Sequence, residues 1–244
     1  MTKKSSTLQP ASTKKPSKSN FQATDSDEAI YQTIFESVMT QRLKPGTKLP
    51  EASLCELFKA SRATVRKVLQ KLAHDHIVEL RPNRGASVAA PTPEQTSQIF
   101  EARRILESSI VRLAAANAKR TDIANLRQRL KQEHNSLNRL AQPEWVRLAS
   151  SFHLAVAEAA GNPILTHYLV ELVSRCSLIV ALYEPPGNAS CEHDEHSRIV
   201  DYIEKGDGDK AARLMEDHLS TLEKNISLNP EKDDNSLGRM LGLK

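Results

Sequence analysis

Aromatic side chains are scarce in this chain: Phe, Trp and Tyr together make up 4% of its 244 residues. Cores must then be built from Leu, Ile, Val and Ala, which suits packed helices better than a β-sandwich. Cysteine is scarcer still. Cys55, Cys176 and Cys191 are odd in number, widely spaced and form no C-x-x-C pair. That argues against a disulfide framework or a cysteine zinc site and makes a reducing cytoplasm the expected setting. No run of about 18 apolar residues stands out, and the positively charged N-terminus has no apolar stretch behind it. Neither a membrane span nor a secretory signal is therefore expected.

What is present points to two modest domains. The apolar share of 39% is enough for cores, and the length exceeds one average domain. Net charge is only +4 but unevenly placed: fifteen Lys/Arg stand against eight Asp/Glu up to residue 90, and nineteen against twenty-two after it. A basic front and a mildly acidic back imply a polyanion partner for the front.

Residues 1–24 are a Ser/Thr/Lys/Pro segment with five lysines and no acid, too polar to offset its ordering entropy, and read as a disordered basic tail. Residues 25–90 read as three helices and a β-hairpin. Asp25-x-x-Glu28 has the form of a capping box before the stripe Ile30, Ile34, Val38, and Lys44-Pro45-Gly46 closes that helix. A short helix turns Leu54, Leu57 and Phe58 inward. Ser61 caps a third with Val65, Val68, Leu69 and Leu72 at 3–4 spacing, and Ile77–Arg81 and Gly85–Ala89 flank a Pro82-Asn83-Arg84 turn. Residues 91–228 read as all-helical. Thr92, Pro93 and Gln95 open the first helix, and helices are expected near 93–119, 121–140, 143–160, 163–183, 191–205 and 208–228. Thr121 and Asp207 serve as starts, Gly161 and Gly206 as stops, and residues 229–244 form a loose tail. The fold class is mostly α: a winged helix-turn-helix followed by a helical bundle.

A helix that reads the major groove needs basic and hydroxyl residues at its start and an apolar stripe behind them. The run Ser61-Arg62-Ala63-Thr64-Val65-Arg66-Lys67 meets both demands, with Arg66, Lys67 and Gln70 away from the apolar stripe. Arginine pairs bidentately with guanine, Ser61 and Thr64 can reach phosphates, and Gly85 beside Arg84 lets a wing backbone approach a groove. Any one arginine alone would mark only a solvated face. The ordered set with a wing at the right distance favours DNA.

Leu43-Lys44-Pro45-Gly46-Thr47-Lys48-Leu49, Leu54-Cys55-Glu56-Leu57, Ser61 to Arg66, Leu69-Gln70-Lys71-Leu72 and Arg81-Pro82-Asn83-Arg84-Gly85 together resemble the GntR family of bacterial regulators. The resemblance implies DNA contacts at Arg62, Thr64, Arg66, Arg84 and Gly85. Ala63-Thr64 and Lys67 depart from the family pattern, which implies an altered base preference and stronger phosphate affinity.

Polar residues on apolar stripes mark the second domain, because burying them without partners is costly. Arg103 lies in register with Ile99, Leu106, Ile110 and Leu113. His196 shares a face with Ile199, Val200 and Ile203, and His218 with Ala211, Leu214, Met215 and Leu222. His153 borders the stripe of Trp145, Leu148, Phe152 and Val156. One such histidine is ordinarily a satisfied core residue. Three on three helices with an inward arginine point to a cavity, where imidazoles hold a zinc-like divalent metal and Arg103 grips a ligand carboxylate.

Arg103-x-x-Leu106-Glu107, Phe152-His153 with Gly161-Asn162-Pro163, Glu195-His196-x-x-Ile199-Val200, Gly206-Asp207 and His218-Leu219 resemble the FCD effector domain of the FadR subfamily. That resemblance implies a metal site at His153, His196 and His218, a small organic acid as effector and a homodimer on palindromic operator DNA. It also implies an Asp where Ala149 stands, so a water, the effector, His193 or Glu192 is expected to fill the place. The leading function is a ligand-responsive DNA-binding regulator, not an enzyme. The alternatives are a non-sensing structural DNA binder and a three-His metal hydrolase, for which only Glu158 and Glu195 stand near the histidines.

Overall fold

The computed structural model describes residues 19–137, 142–183, 189–226 and 237–242. The N-terminal unit contains α1 (Ser19–Met39), β1 (Lys48–Leu49), α2 (Glu51–Phe58), α3 (Arg62–His74), β2 (Val78–Arg81) and β3 (Gly85–Val88). Seven further helices follow: α4 (Pro93–Asn117), α5 (Arg120–Leu137), α6 (Gln142–Ala159), α7 (Pro163–Tyr183), α8 (Ala189–Glu204), α9 (Gly208–Asn225) and α10 (Leu237–Met240). The fold is the mostly α arrangement the sequence implies, a three-helix winged head followed by a helical bundle.

The head closes over Ile30, Ile34 and Val38 of α1, Leu54 of α2 and the α3 stripe Val65, Val68, Leu69 and Leu72, all buried. Ser61 caps α3 as its spacing implies, its hydroxyl accepting from the Thr64 amide at 3.1 Å. The wing is antiparallel, with Leu80 opposite Ala86 and Arg81 opposite Gly85. A third strand, β1, pairs with β3 through Lys48↔Ser87 and Leu49↔Ala86. Two residues are too few to show alternation, so the sequence carries no strand signal there.

Several boundaries correct the sequence expectation. Helix α1 starts at Ser19, so residues 19–24 are helical and Asp25 lies inside the helix instead of capping it. No proline or glycine interrupts this stretch, and lengthening a formed helix is far easier than nucleating one. Residues 1–18 fall outside the described residues. Helix α5 begins before Thr121, with Asp122 accepting from the Lys119 amide at 2.8 Å. The tail expected loose from 229 contains α10, and Leu241, 2% exposed, joins the core formed by the head and the end of α7.

The bundle opens as read. Thr92 Oγ1 accepts from the Gln95 amide at 3.1 Å and Gln95 Oε1 from the Thr92 amide at 3.0 Å, a reciprocal cap with Pro93 in the first turn. Helix α4 packs against α9, α7 and α6; α5 and α8 complete the far side. The buried face of α4 is Phe100, Arg103, Glu107, Ile110, Val111 and Ala114, turned slightly from the expected stripe; Leu113 is 36% exposed.

Helix α7 is, contrary to expectation, long and apolar enough to cross a membrane by length and composition alone. Its buried residues include Leu169, Val173, Cys176 and Leu178–Tyr183, and it packs on α4, α6 and α1. Its C-terminal half goes into the protein core, while Ile164, Tyr168 and Val170 nearer its start are exposed. The helix also fastens the head: Ser174 Oγ donates to the Asp75 carbonyl at 3.0 Å, and Gln41 Nε2 donates to the Ala181 carbonyl at 2.9 Å.

Candidate DNA-reading surface and candidate metal centre

The sequence-derived DNA residues fall on two neighbouring features of the head. Ser61, Arg62, Thr64 and Arg66 occupy the first turns of α3, and Arg84 and Gly85 the wing turn. An open crevice of about 430 Å³ separates the two features, lined by Arg66, Gln70, Arg81, Asn83 and Gly85 among others. Asn83 (φ 60) and Gly85 (φ 75) both adopt left-handed backbone, which draws the turn tight and leaves Gly85 without a side chain at the tip.

The cations of this surface divide by partner. The Arg62 and Arg84 guanidinium groups have none among the described residues. Arg66 Nε donates to both Glu51 oxygens, at 3.0 and 2.9 Å. Lys67 Nζ meets Asp27 at 2.7 Å and Lys71 Nζ meets Glu28 at 2.8 Å, so both lysines lean toward α1. Asp27 and Glu28 are thus partners of the recognition helix. The structure separates Lys67 from the Arg66 side of α3, where the sequence reading had grouped them.

In the bundle, the three histidines do meet. The facing ligand nitrogens of His153 (α6), His196 (α8) and His218 (α9) lie within 4.8 Å of one another. All three residues are buried, and so are Arg103, Glu107 and Glu133. Each imidazole is held from behind by a carboxylate: His153 Nδ1 by Glu107 at 2.5 Å, His196 Nδ1 by Glu133 at 2.8 Å and His218 Nδ1 by Glu195 at 2.7 Å. Phe152 stacks on His196 with ring centroids 4.1 Å apart. Such carboxylate–histidine pairs fix the tautomer with the proton on Nδ1, leaving Nε2 as a lone pair aimed at the centre.

Electrostatics keep two of the three rings neutral. Burial disfavours the imidazolium and pushes His153 down to about 3 and His196 well below its ordinary value. Burial alone would raise Glu107, but Arg103 and His153 beside it hold it at about 2. Burial also works against the Arg103 guanidinium, yet Glu107 at 2.6 Å keeps it charged, with its pKa above the ordinary value. Glu133 is pushed by burial to about 7 against the pull of the surrounding histidines.

One contact tests whether this set fits a cation. His196 Nε2 and His218 Nε2 lie 3.2 Å apart. With either ring in its other tautomer this contact is a hydrogen bond; when both Nδ1 atoms donate to carboxylates, neither Nε2 carries a proton and two lone pairs face each other. A metal ion between such nitrogens relieves that repulsion, so the donor set fits a divalent transition ion. Ala149 lines the same small cavity of about 20 Å³, with Arg103, Cys176 and Ser177, and offers no donor. Arg103 Nη1 donates to Cys176 Sγ at 3.0 Å, while its buried Nη2 has no partner among the described residues. His193 does not fill Ala149's place; it lies 3.6 Å from Glu133 and beside the His134 ring. The Glu192 side chain is outside the described residues. Glu195 buttresses His218 and Glu158 is exposed, so neither stands as an acid–base partner across the cavity.

Sequence reasoning missed the roles of Glu107, Glu133 and Cys176. Glu107 stands one helical turn after Arg103, an i,i+4 spacing that signals an ion pair. Glu133 continues the buried Leu126 and Leu130 face of α5. Cys176 carried no signal beyond its burial in an apolar run.

Comparison with known proteins agrees with both halves. Residues 26–88 match the model described as "Bacterial regulatory proteins, gntR family", and residues 98–221 match the FCD domain. The HTH-type transcriptional regulator LutR of Bacillus subtilis (strain 168) is 29% identical over 208 residues, covering 76% of this chain and 94% of its own. The HTH-type transcriptional repressor NanR of Salmonella newport (strain SL254) is 28% identical over 219 residues, covering 80% and 83% respectively. Among solved structures, a GntR transcriptional regulator from Rhodococcus sp. RHA1 superposes with a TM-score of 0.68 at 20% identity, covering 83% of this chain and 96% of its own. E. coli McbR/YncC gives 0.64 at 18% identity, covering 82% and 93%. These structures share the fold. With the FCD match spanning half of the chain and the GntR match the head, the protein belongs to the GntR family of DNA-binding transcriptional regulators and carries an FCD ligand-sensing domain, a family of regulators and not of enzymes.

Proposed function

We propose that this regulator binds a palindromic operator as a homodimer and changes its DNA affinity when a small carboxylate, held beside a divalent metal, enters the bundle. The observation that carries the sensing half is Arg103: a buried guanidinium whose Nη2 has no partner, lining the cavity on which three histidines converge. An unpaired buried donor of this kind is costly, and a ligand carboxylate would satisfy it. His153, His196 and His218 would hold the ion, which when bound supplies a Lewis-acidic anchor for a carboxylate oxygen. With Ala149 in place of a carboxylate, the protein's own donors are three neutral nitrogens, leaving positions open for the effector or water.

On the DNA side, Arg62 and Arg66 read base edges, Ser61 and Thr64 approach phosphates, and Arg84 with Gly85 reaches the flanking groove. Lys67 is left out because Asp27 occupies its ammonium. One small head contacts few base pairs, and two heads on a two-fold axis read a palindrome. Because the regulator acts on DNA, it works in the cytoplasm. Helix α7 supports the coupling between domains: Cys176 and Ser177 line the cavity, and Ser174 and Ala181 bind the head. An effector that prefers one position of α7 biases the head by the same free energy.

The test uses untagged protein. Elemental analysis is expected to find metal near stoichiometry, and duplexes selected from genomic fragments are expected to change affinity with a panel of small mono- and dicarboxylates. Metal-free protein that zinc does not stabilise would sink the metal. An unaltered operator affinity across the panel would sink the carboxylate. Binding that scarcely distinguishes operator from competitor DNA would instead support a structural DNA binder.

A further inference from the structure

Arg66 lies on the face proposed to read DNA, yet its Nε is bound by the two oxygens of a carboxylate. A residue meant only to neutralise phosphate gains nothing from a carboxylate beside it, which weakens the attraction to a polyanion. Holding an arginine for a base edge is different. The guanidinium is planar, so tying Nε fixes the plane of the whole fork while Nη1 and Nη2 stay free. Bidentate pairing with guanine O6 and N7 depends on that plane.

Glu51 has its position set by the backbone. It is the first residue of α2, after Pro50, which makes no side-chain cap. The pair is open to water, with side-chain exposures of 63% for Arg66 and 37% for Glu51, and exposed pairs of this kind add little to stability. Arg66 borders the crevice shared with Gln70 and the wing turn, and Glu51 lines the same crevice. Arg62 and Arg84 have no such tether among the described residues, so no carboxylate fixes the plane of either fork.

We propose that Glu51 is a positioning and specificity-determining residue: it holds the Arg66 fork for a guanine and penalises DNA that offers none. The inference rests on the reading that Arg66 contacts a base. The carboxylate acts twice. It orients Arg66 on the right sequence, and on the wrong one its charge faces the DNA without a compensating base pair contact.

The experiment uses full-length protein and a consensus duplex selected with it from a random-sequence library. Affinities for that duplex, for its single-base-pair variants and for a scrambled duplex are measured across a salt series for wild type, Glu51→Gln, Glu51→Asp, Arg66→Ala and the Glu51→Gln/Arg66→Ala double variant. Glu51→Gln is expected to lower the specific-to-scrambled ratio about tenfold, the lower range for one bidentate contact, with scrambled-duplex affinity unchanged or raised. The loss should fall at the base pair whose preference Arg66→Ala abolishes. Glu51→Asp should restore part of the ratio, and Glu51→Gln should have no effect on it once Arg66 is alanine. If Arg66→Ala flattens one base preference while Glu51→Gln leaves the ratio intact, the inference is overturned and Arg66 still reads DNA. An equal loss on all duplexes reduces Glu51 to a structural role and overturns it too. If Arg66→Ala changes no base preference, the reading beneath the inference falls as well.

Discussion

The head and the bundle use the same chemical groups in opposite ways. In the head, Arg66–Glu51, Lys67–Asp27 and Lys71–Glu28 are ion pairs in contact with water. In the bundle, Arg103–Glu107 is sealed, with side-chain exposures of 3% and 1%. Water screens the exposed pairs and competes for their partners, so each adds little to stability. The buried pair has lost that alternative. Its charges must be matched inside the protein, and Arg103 Nη2 is left unmatched among the described residues. On the proposed function, solvent access and not residue type separates the arginine offered to DNA from the one offered to an effector.

The hardest test of that contrast removes one acid from each region. Glu107→Ala leaves Arg103 buried and unpaired and releases His153, and is expected to cost about 3–5 kcal/mol of stability. Glu51→Ala should stay within about 1 kcal/mol. Thermal or denaturant unfolding of both variants measures the gap; similar losses would erase the distinction. Replacing the buried pair by apolar residues, Arg103→Met with Glu107→Leu, should return most of the stability while abolishing any response to carboxylates.

Acid should act on the bundle before the head. His153 and His196 have lowered folded pKa values, with His153 at about 3, so below about 6.5 the unfolded chain takes up protons that the folded one refuses. Stability of metal-free protein is therefore expected to fall as pH drops from 6.5 toward 3. Glu107, at about 2, adds a further loss below its unfolded value near 4.3. Glu133, raised to about 7, works the other way, binding an extra proton when folded between about 4.3 and 7. Two histidines outweigh one carboxylate, so the net slope between pH 5 and 6.5 should be positive. Denaturant midpoints across that range check the sign.

Restoring the absent carboxylate sharpens the bundle's side of the comparison. Ala149→Asp places an acid in the cavity lined by His153, His196 and His218. Outer carboxylates alone change metal affinity about 10–100-fold, so a ligating one should strengthen zinc binding by at least about tenfold. Competition with a chromophoric chelator measures this. An unchanged affinity would mean that the three nitrogens do not form the metal's binding face.

The contrast was only half legible in the sequence. That the three histidine stripes meet was implied only by the family resemblance. Arg62 and Arg66, though, stand four residues apart on one helix, and each of the three histidines lies on or beside the apolar stripe of its own helix. Arg103 was legible as inward for the same reason. What closes each network comes from elsewhere in the chain: Glu51 reaches Arg66 from another helix, Asp27 reaches Lys67 from α1, and Glu133 reaches His196 from α5. Periodicity reports which face a residue occupies, not which face of another helix meets it. Helix α10 escaped for a related reason, since four residues carry no periodic signal and its stability comes from Leu241 docking into an existing core.

The smallest expected effect concerns Lys67. Its ammonium sits on Asp27 at 2.7 Å, with 69% of the lysine side chain exposed but only 18% of the aspartate. Lys67→Ala should therefore change stability by no more than about 1 kcal/mol. The informative quantity is the salt dependence of DNA binding. If Lys67 stays with Asp27 in the complex, it neutralises no phosphate and the slope of log K against log salt should match wild type. Arg84→Ala, which removes an untethered cation, should reduce that slope by about one. A reduction of about one for Lys67→Ala as well would mean that DNA takes Lys67 from Asp27. The head's ion pairs would then be a store of cations released on binding, and Asp27, left without its partner, should make Asp27→Asn bind all duplexes more tightly than wild type.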